Sequence, residues 1–253
     1  MKLEDKVAIV TGGSKGIGEG IARVFRSEGA KVVIASRGAE AGQKMAEQLG
    51  AAAGQALYLP TDVRSGASIR AMIQATVERF GKLDILVNNA GYHISKNVEQ
   101  TSEEEWEFII STNLRSTFLC SKYAIPHLRA TKGTIINISS MVGLVGQSNA
   151  GAYSASKGGQ IAMTRGMALD FARDGIRVNA ICPGWIASPL VEDWFSQQPD
   201  PPAARAYIYA AHPLGRIGTI EECGQAAAYL AGAESAFVTG ITLNIDGGVT
   251  LGY

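Results

Sequence analysis

Short, wholly apolar runs alternate along this chain with longer stretches whose apolar residues recur at helical spacing. That alternation limits the fold more than any other feature. Residues 7–10 carry no polar side chain, which suits a strand covered on both faces. Comparable runs lie at 31–35, 56–59, 83–87, 134–138, 177–181 and 241–245. Helical periodicity fills 17–27, 39–49, 67–80, 102–129 and 153–172. Ser102, followed by Glu103, Glu104 and Glu105, opens the fourth of these with a capping residue and an acidic first turn. Strand–helix alternation implies a parallel sheet with right-handed crossovers. Seven strands fit into 253 residues, with no Pro/Ser-rich hinge, internal repeat or low-complexity tract to divide them. The expected fold is α/β: a single Rossmann-type domain over 1–253, doubly wound, with a seven-stranded parallel sheet flanked by helices on both faces.

The alternation breaks at 188–214, where Trp194, Phe195, Pro199, Pro201, Pro202, Tyr207 and Tyr209 crowd together. This stretch follows the sixth strand, at the carboxyl edge where open parallel sheets bind ligands. Long insertions in compact domains are often functional, so 188–214 is expected to be a substrate lid.

Composition excludes several partners. Lysine plus arginine number 23 and aspartate plus glutamate number 23, so no overall field favours nucleic acid or an anionic membrane. No apolar run approaches the roughly 18 residues of a membrane span. The charged start, Met1-Lys2-Leu3-Glu4-Asp5-Lys6, does not read as a signal peptide. Cys120, Cys182 and Cys223 are odd in number and widely spaced, which suits free thiols in a reducing cytoplasm. His93, His127 and His212 are scattered as well, so no metal site is expected.

The first strand runs straight into Thr11-Gly12-Gly13-Ser14-Lys15-Gly16-Ile17-Gly18, and a helix follows. Glycines let backbone turn tightly and approach a pyrophosphate, and the helix N-terminus offers free amides to its charge. The spacing is TGxxxGxG, distinct from both GxGxxG and the P-loop. The second strand ends Ile34-Ala35-Ser36-Arg37, without the acid that bonds ribose hydroxyls in NAD sites. A guanidinium there suits an added phosphate. Arg37, with Lys15 as a second cation, therefore favours NADP(H), with NAD(H) as the alternative.

Tyr153 and Lys157 are four residues apart, on one face of a helix. A free tyrosine titrates near about 10, and a neighbouring ammonium is expected to lower that value. Tyr153 would then exchange a proton with an alcohol or ketone as general base or acid.

These motifs resemble the short-chain dehydrogenase/reductase family over nearly the whole chain. Asn88-Asn89-Ala90-Gly91 matches its NNAG segment, Pro183-Gly184 its PG turn, and Asn113, Ser140, Tyr153 and Lys157 its catalytic tetrad. The resemblance implies further roles. Lys157 would also bond the nicotinamide ribose, Ser140 would hold the substrate oxygen, and Asn113 would support a water chain from the lysine. Ser139 rivals Ser140, but Ser140 keeps the family's distance to the tyrosine. Gly12, Ser14, Lys15, Gly16, Ile17, Gly18, Ser36, Arg37, Asp62, Val63, Asn89, Ala90, Gly91, Pro183, Gly184, Ile186 and Ser188 would join Tyr153 and Lys157 around the cofactor, Asp62 at the adenine amino group. Tyr92, His93, Gln147, Trp185 and Trp194, with Ser140, are the candidate substrate contacts. Finer segments, among them 141–147, 213–216 and 251–253, resemble a branch that holds hydroxysteroid and L-fucose dehydrogenases. This chain departs from that branch at Ser36, where an NAD-using relative carries an acid, and at Tyr92, where it has histidine.

The activity implied is hydride transfer between a nicotinamide cofactor and a secondary alcohol or ketone, the substrate being a sugar, a steroid or a small carbonyl compound. The alternatives are a 3-oxoacyl thioester reductase or a non-catalytic nucleotide-sensing regulator. Only Arg205 in 188–214 could offer an acyl carrier a positive charge, and the intact tetrad favours the enzyme. By resemblance the protein would be a homotetramer formed through its two long helices and its C-terminal strand region.

Overall fold

The computed structural model describes residues 1–252; Tyr253, part of the C-terminal resemblance, lies outside the described residues. The strands are β1 (Val7–Thr11), β2 (Lys31–Ser36), β3 (Ala56–Pro60), β4 (Ile85–Asn88), β5 (Thr134–Ile138), β6 (Arg177–Pro183) and β7 (Thr242–Ile245). They form one sheet, ordered β3-β2-β1-β4-β5-β6-β7, and every pairing is parallel. The helices are α1 (Gly16–Ser27), α2 (Ala39–Gln48), α3 (Gly66–Phe80), α4 (Glu103–Ile109), α5 (Ser116–Thr131), α6 (Gly151–Phe171), α7 (Pro189–Ser196), α8 (Pro201–Ala210) and α9 (Ile220–Ala231).

The strand order turns back between β1 and β4, which opens a crevice at their carboxyl ends. All five residues of β1 are buried, as an apolar run with helices over both faces requires. Its alternate residues feed two cores. Ala8 and Val10 join α1, α2 and α9 on one side. Ile9 joins α3, α5 and part of α6 on the other.

The structure departs from the sequence expectations in three places. The stretch 102–129 is not one α-helix. Its backbone widens into a π-turn at Ile110–Arg115, between α4 and α5. Such turns insert into α-helices mostly at functional sites, and this one contains Asn113. The capping box expected at Ser102 is present, with reciprocal bonds to Glu105. The second departure is α9, absent from the helical reading because its apolar side is alanine and glycine rather than large residues. Its start was nonetheless marked: Thr219 and Glu222 form a second capping box. The third is 188–214, which carried no helical reading and forms two helices. Proline opens each of them, in the first turn, where its missing amide would lack an intrahelical partner anyway.

Glycine explains how α9 lies so close to α1. A Cβ built on Gly20 would come within 2.2 Å of the Ile220 carbonyl oxygen, and one on Gly224 within 2.6 Å of the Gly20 oxygen. Gly20 thus belongs to helix packing rather than to the phosphate turn. Helix propensity alone favours Gly20→Ala by about 1 kcal/mol. The close backbone reverses that sign, since overpacking costs roughly 1–3 kcal/mol. Thermal unfolding of Gly20→Ala is therefore expected to move down by about 2–6 °C. A melting point above wild type would show that α1 and α9 part without cost.

Candidate active site

The crevice between β1 and β4 is lined by the glycine turn. Gly12 and Gly16 both have positive φ, +65° and +58°, which only glycine adopts without strain. A Cβ on Gly18 would meet the Gly12 oxygen at 2.3 Å, so this helix start closes tightly on the turn. No side chain caps the first turn of α1, so its amides face outward as free donors for an anion. Thr11, at the end of β1, pins the facing loop. Its hydroxyl donates to the Val87 oxygen at 3.1 Å and accepts from the Asn89 and Ala90 amides at 3.0 and 3.1 Å. The Asn89 side chain donates back to the Thr11 oxygen at 2.9 Å.

The second strand ends at the same crevice. The Ser36 hydroxyl is buried with no hydrogen-bond partner among the described residues. Such a group is costly and suits a ligand that supplies the missing bond. Arg37, the next residue, is exposed, as is Lys15 in the glycine turn. Asp62 begins the loop after β3, followed by buried Val63. The Asp62 carboxylate is held by Arg64, whose Nη2 and Nε donate to its two oxygens at 2.7 and 3.1 Å. That bond keeps the Asp62 carboxyl below the ordinary carboxylate range. At the other end of the crevice Pro183 and Gly184 close β6. A Cβ on Gly184 would lie 2.9 Å from the Asp246 Cα. Ile186 is buried, and the Ser188 Cβ lies 3.7 Å from where a Gly16 Cβ would be. Uncapped amides, an orphaned buried hydroxyl and glycine-lined backbone fit a dinucleotide.

The four tetrad residues converge beside this crevice. Lys157 is buried at 3% exposure, and its Nζ donates to the Ile138 oxygen at 2.7 Å and to Gln160 Oε1 at 3.0 Å. An ammonium has three donors, so one remains for a ligand. Burial lowers the Lys157 pKa to about 8. A Cβ on Gly91 would come within 3.4 Å of Asn113 Oδ1 and 3.6 Å of Lys157 Nζ, so Gly91 leaves the space in which these two groups meet. The Asn113 amide donates to the Tyr92 oxygen at 2.9 Å and to Ser156 Oγ at 3.0 Å, and its oxygen accepts from the Tyr92 amide at 2.8 Å. Burial drives the Tyr153 pKa up to about 12 and outweighs the neighbouring Ser140 hydroxyl, which lowers it.

That direction corrects the sequence expectation for Tyr153. Lys157 Nζ sits 5.7 Å from the tyrosine ring centre and is anchored on backbone and Gln160 instead. Desolvation of the phenolate therefore outweighs the cation. The phenol is a protonated donor in the protein alone.

The two serines separate cleanly. Ser139 is 3% exposed and its hydroxyl donates to the Lys157 oxygen at 2.8 Å, tying β5 to α6. Ser140 is left facing Tyr153. Gly143 allows the intimate seat of α6, since a Cβ there would strike the Lys157 backbone at 2.8 Å. Cys182 lies under the site, fully buried, with its thiol pushed up by that burial, which suits packing rather than attack.

The candidate substrate residues divide. The His93 ring sits edge-on to Tyr153, with ring centres 4.7 Å apart. Burial lowers its pKa, so it is a neutral imidazole at pH 7. Tyr92 is 47% exposed and packs edge-on to Phe108 at 5.3 Å. Gln147 is half-buried between Ser140 and α6. Trp185 and Trp194 contact one another at 4.7 Å and join Phe195, Ile208 and Ile217 in a small separate core. The tryptophans thus bind α7 and α8 to the turn after β6, a packing role that the sequence did not show. His212 is buried in the turn after α8, its Nδ1 2.6 Å from the Ile208 oxygen.

Known proteins resemble the chain along its whole length. A family model described as enoyl-(acyl carrier protein) reductase matches residues 12–250. An L-fucose dehydrogenase of Bos taurus is 43% identical over 249 residues, covering 98% of this chain and 90% of its own. A meso-2,3-butanediol dehydrogenase of Serratia marcescens is 36% identical over 250 residues, covering 99% and 96%. The crystal structure of Cj0485 dehydrogenase superposes with a TM-score of 0.92 at 34% identity, covering 98% of this chain and 95% of that one. No helix among the described residues is long and apolar enough to cross a membrane. Identity of this extent, with a superposition at TM-score 0.92, identifies the chain as an oxidoreductase of the short-chain dehydrogenase/reductase family.

Proposed function

We propose that the protein is an NADP(H)-preferring dehydrogenase of secondary alcohols, with a sugar hydroxyl as the substrate class tested first. The observation that carries this is the convergence of Ser140, Tyr153, Lys157 and Asn113 beside a crevice fit for a dinucleotide. When bound, the nicotinamide supplies the centre that takes or gives the hydride. Tyr153 moves the proton at the substrate oxygen, and Ser140 holds that oxygen by its hydroxyl. Lys157 turns its third donor to the cofactor ribose, and Asn113 holds the loop at Tyr92 and the turn of α6 at Ser156. The α7–α8 pair, with its own apolar core, serves as the lid that excludes water.

The sugar reading is supported by the L-fucose dehydrogenases at 43% identity and by a neutral His93 imidazole, donor and acceptor at once, against Tyr153. A turnover screen of aldoses, steroids, vicinal diols and 3-oxoacyl thioesters, each with both cofactors, tests it. Fastest turnover on the 3-oxoacyl thioesters would replace the sugar reading with a 3-oxoacyl thioester reductase.

The cofactor preference rests on Ser36 and Arg37. An unpartnered hydroxyl and an exposed guanidinium at the end of β2 suit a 2′-phosphate, and no acid stands there to repel it. Arg37→Asp is expected to shift the ratio of kcat/KM values from NADP towards NAD by about 10²-fold, some 2.7 kcal/mol. An unchanged ratio would remove Arg37 from the site. The C-terminal strand and the two long helices, α5 and α6, are the proposed seams of a homotetramer in a reducing cytoplasm, and light scattering tests the assembly.

A further inference from the structure

Arg64 sits between the crevice and the tetrad without belonging to either. Its Nη2 and Nε grip the Asp62 carboxylate, and its amide also donates to Asp62 Oδ1 at 3.0 Å. A carboxylate accepts at about four positions. Arg64 uses three, which leaves Asp62 charged, oriented and able to accept one bond from a ligand. The same guanidinium lies over the Phe108 ring, 5.1 Å from its centre, in the cation–π range. Phe108 meets Tyr92 edge-on, and both main-chain polar groups of Tyr92 are bonded to the Asn113 side chain. Asn113 donates to Ser156, whose hydroxyl donates to the main-chain oxygen of Tyr153 at 2.7 Å, one helical turn back in α6. A second contact closes the loop. Arg115, two residues after Asn113 in the π-turn, donates from Nη1 to the Arg64 oxygen at 3.0 Å.

We infer that Arg64 is a positioning residue that couples the adenine end of the cofactor crevice to the π-turn carrying Asn113. The inference rests on the reading of Asp62 as an adenine contact. A purely local ion pair would need neither the Phe108 stack nor the Arg115 bond. A π-turn is a wide, loosely bonded turn, so its geometry is easily biased by an outside contact. Occupation of the adenine end then tightens Arg64 on Asp62, and residue 64 holds Phe108 through its guanidinium and Arg115 through its main-chain oxygen. Coupling of this kind is reciprocal. Disturbing the π-turn end must weaken nucleotide binding at the other.

Hydrogen exchange with adenine-end fragments tests this without turnover. The probes are 2′,5′-ADP and 5′-AMP, which lack the nicotinamide. In wild type, fragment binding is expected to slow exchange of the 110–115 amides about fivefold or more. In Arg115→Gln, an exposed substitution that leaves the core untouched, the protection is lost and fragment affinity drops about fivefold. Arg64→Met repeats the loss of protection, with a larger drop in affinity, and melting curves of both variants establish that they are folded. Fragment binding that leaves the wild-type 110–115 amides unchanged, or protection that survives in Arg115→Gln, overturns the coupling and leaves the cofactor reading standing. If neither fragment nor either intact reduced cofactor binds wild type, the nucleotide reading itself fails and takes the coupling with it.

Discussion

Replacing Tyr153 by phenylalanine is expected to lower turnover roughly 10²–10⁴-fold, the range for a lost general acid–base group, while nucleotide binding stays within about twofold. The substitution removes one oxygen and leaves the ring, so the edge-on contact with His93 at 4.7 Å and the seat beside Lys157 persist. Cofactor contacts predicted for the glycine turn, Ser36 and Arg37 are untouched. The pH profile carries the sign. Burial holds the phenol at about 12 in the protein alone, so the base form is scarce at neutral pH and grows as pH rises. Alcohol oxidation by wild type is therefore expected to climb from pH 7 to 10, while carbonyl reduction, which uses the protonated phenol, stays nearly level, since a group at about 12 remains protonated across that span. Initial rates in both directions check this. Turnover near the wild-type level in Tyr153→Phe would take the tyrosine out of the mechanism.

The second large effect is on Lys157. Lys157→Met is expected to reduce turnover by a similar order and, unlike Tyr153→Phe, to weaken cofactor binding, because the lysine's remaining donor is lost. Its stability signature is distinct as well. The folded pKa, about 8, lies below the ordinary lysine value of 10.5, so between those values the unfolded chain binds more protons. Stability of the wild type therefore rises with pH across that window. Below pH 8 burying the ammonium opposes folding in full; above 10.5 it no longer does. Methionine has no such dependence. The difference in unfolding free energy between wild type and Lys157→Met is expected to move in favour of wild type by about 2 kcal/mol between pH 7 and 9.5. Bonds left unmade at the Ile138 and Gln160 oxygens shift both ends of that comparison equally. Denaturant titration at the two pH values measures it, and a difference that stays flat with pH would mean the ammonium is not desolvated in the fold.

Much of the site was legible before any coordinates. The apolar run of β1 followed by the glycine turn pointed to a crevice at a helix N-terminus, because a buried parallel strand and free helix amides impose local, directional patterns. Tyr153 and Lys157 were legible for the same reason, as helical spacing fixes a shared face. Other features escaped. The Ala- and Gly-rich face of α9 carries no strong apolar period, and only its packing against Gly20 reveals why small residues suit it. The π-turn at Asn113 leaves no mark in residue spacing. Trp185 and Trp194 read as substrate contacts from their place in the chain, and that their rings pack on each other and on Phe195 was not legible.

By itself the sequence determined the α/β class, the seven strands in order, most of the helices between them, the glycine turn, the shared face of Tyr153 and Lys157, and the absence of an acid after β2. These follow from period, turn chemistry and residue type, which act over a few neighbouring positions. Only the tertiary structure decided what depends on burial and on groups distant in the chain. It assigned Ser139 to packing and Ser140 to Tyr153. It reversed the expected pKa shift of the tyrosine, because desolvation depends on what surrounds the hydroxyl and not on the lysine four residues away. It also brought Arg64, Phe108, Tyr92 and Asn113 into one line of contacts, since side chains from separate elements meet only once the sheet and its helices have packed.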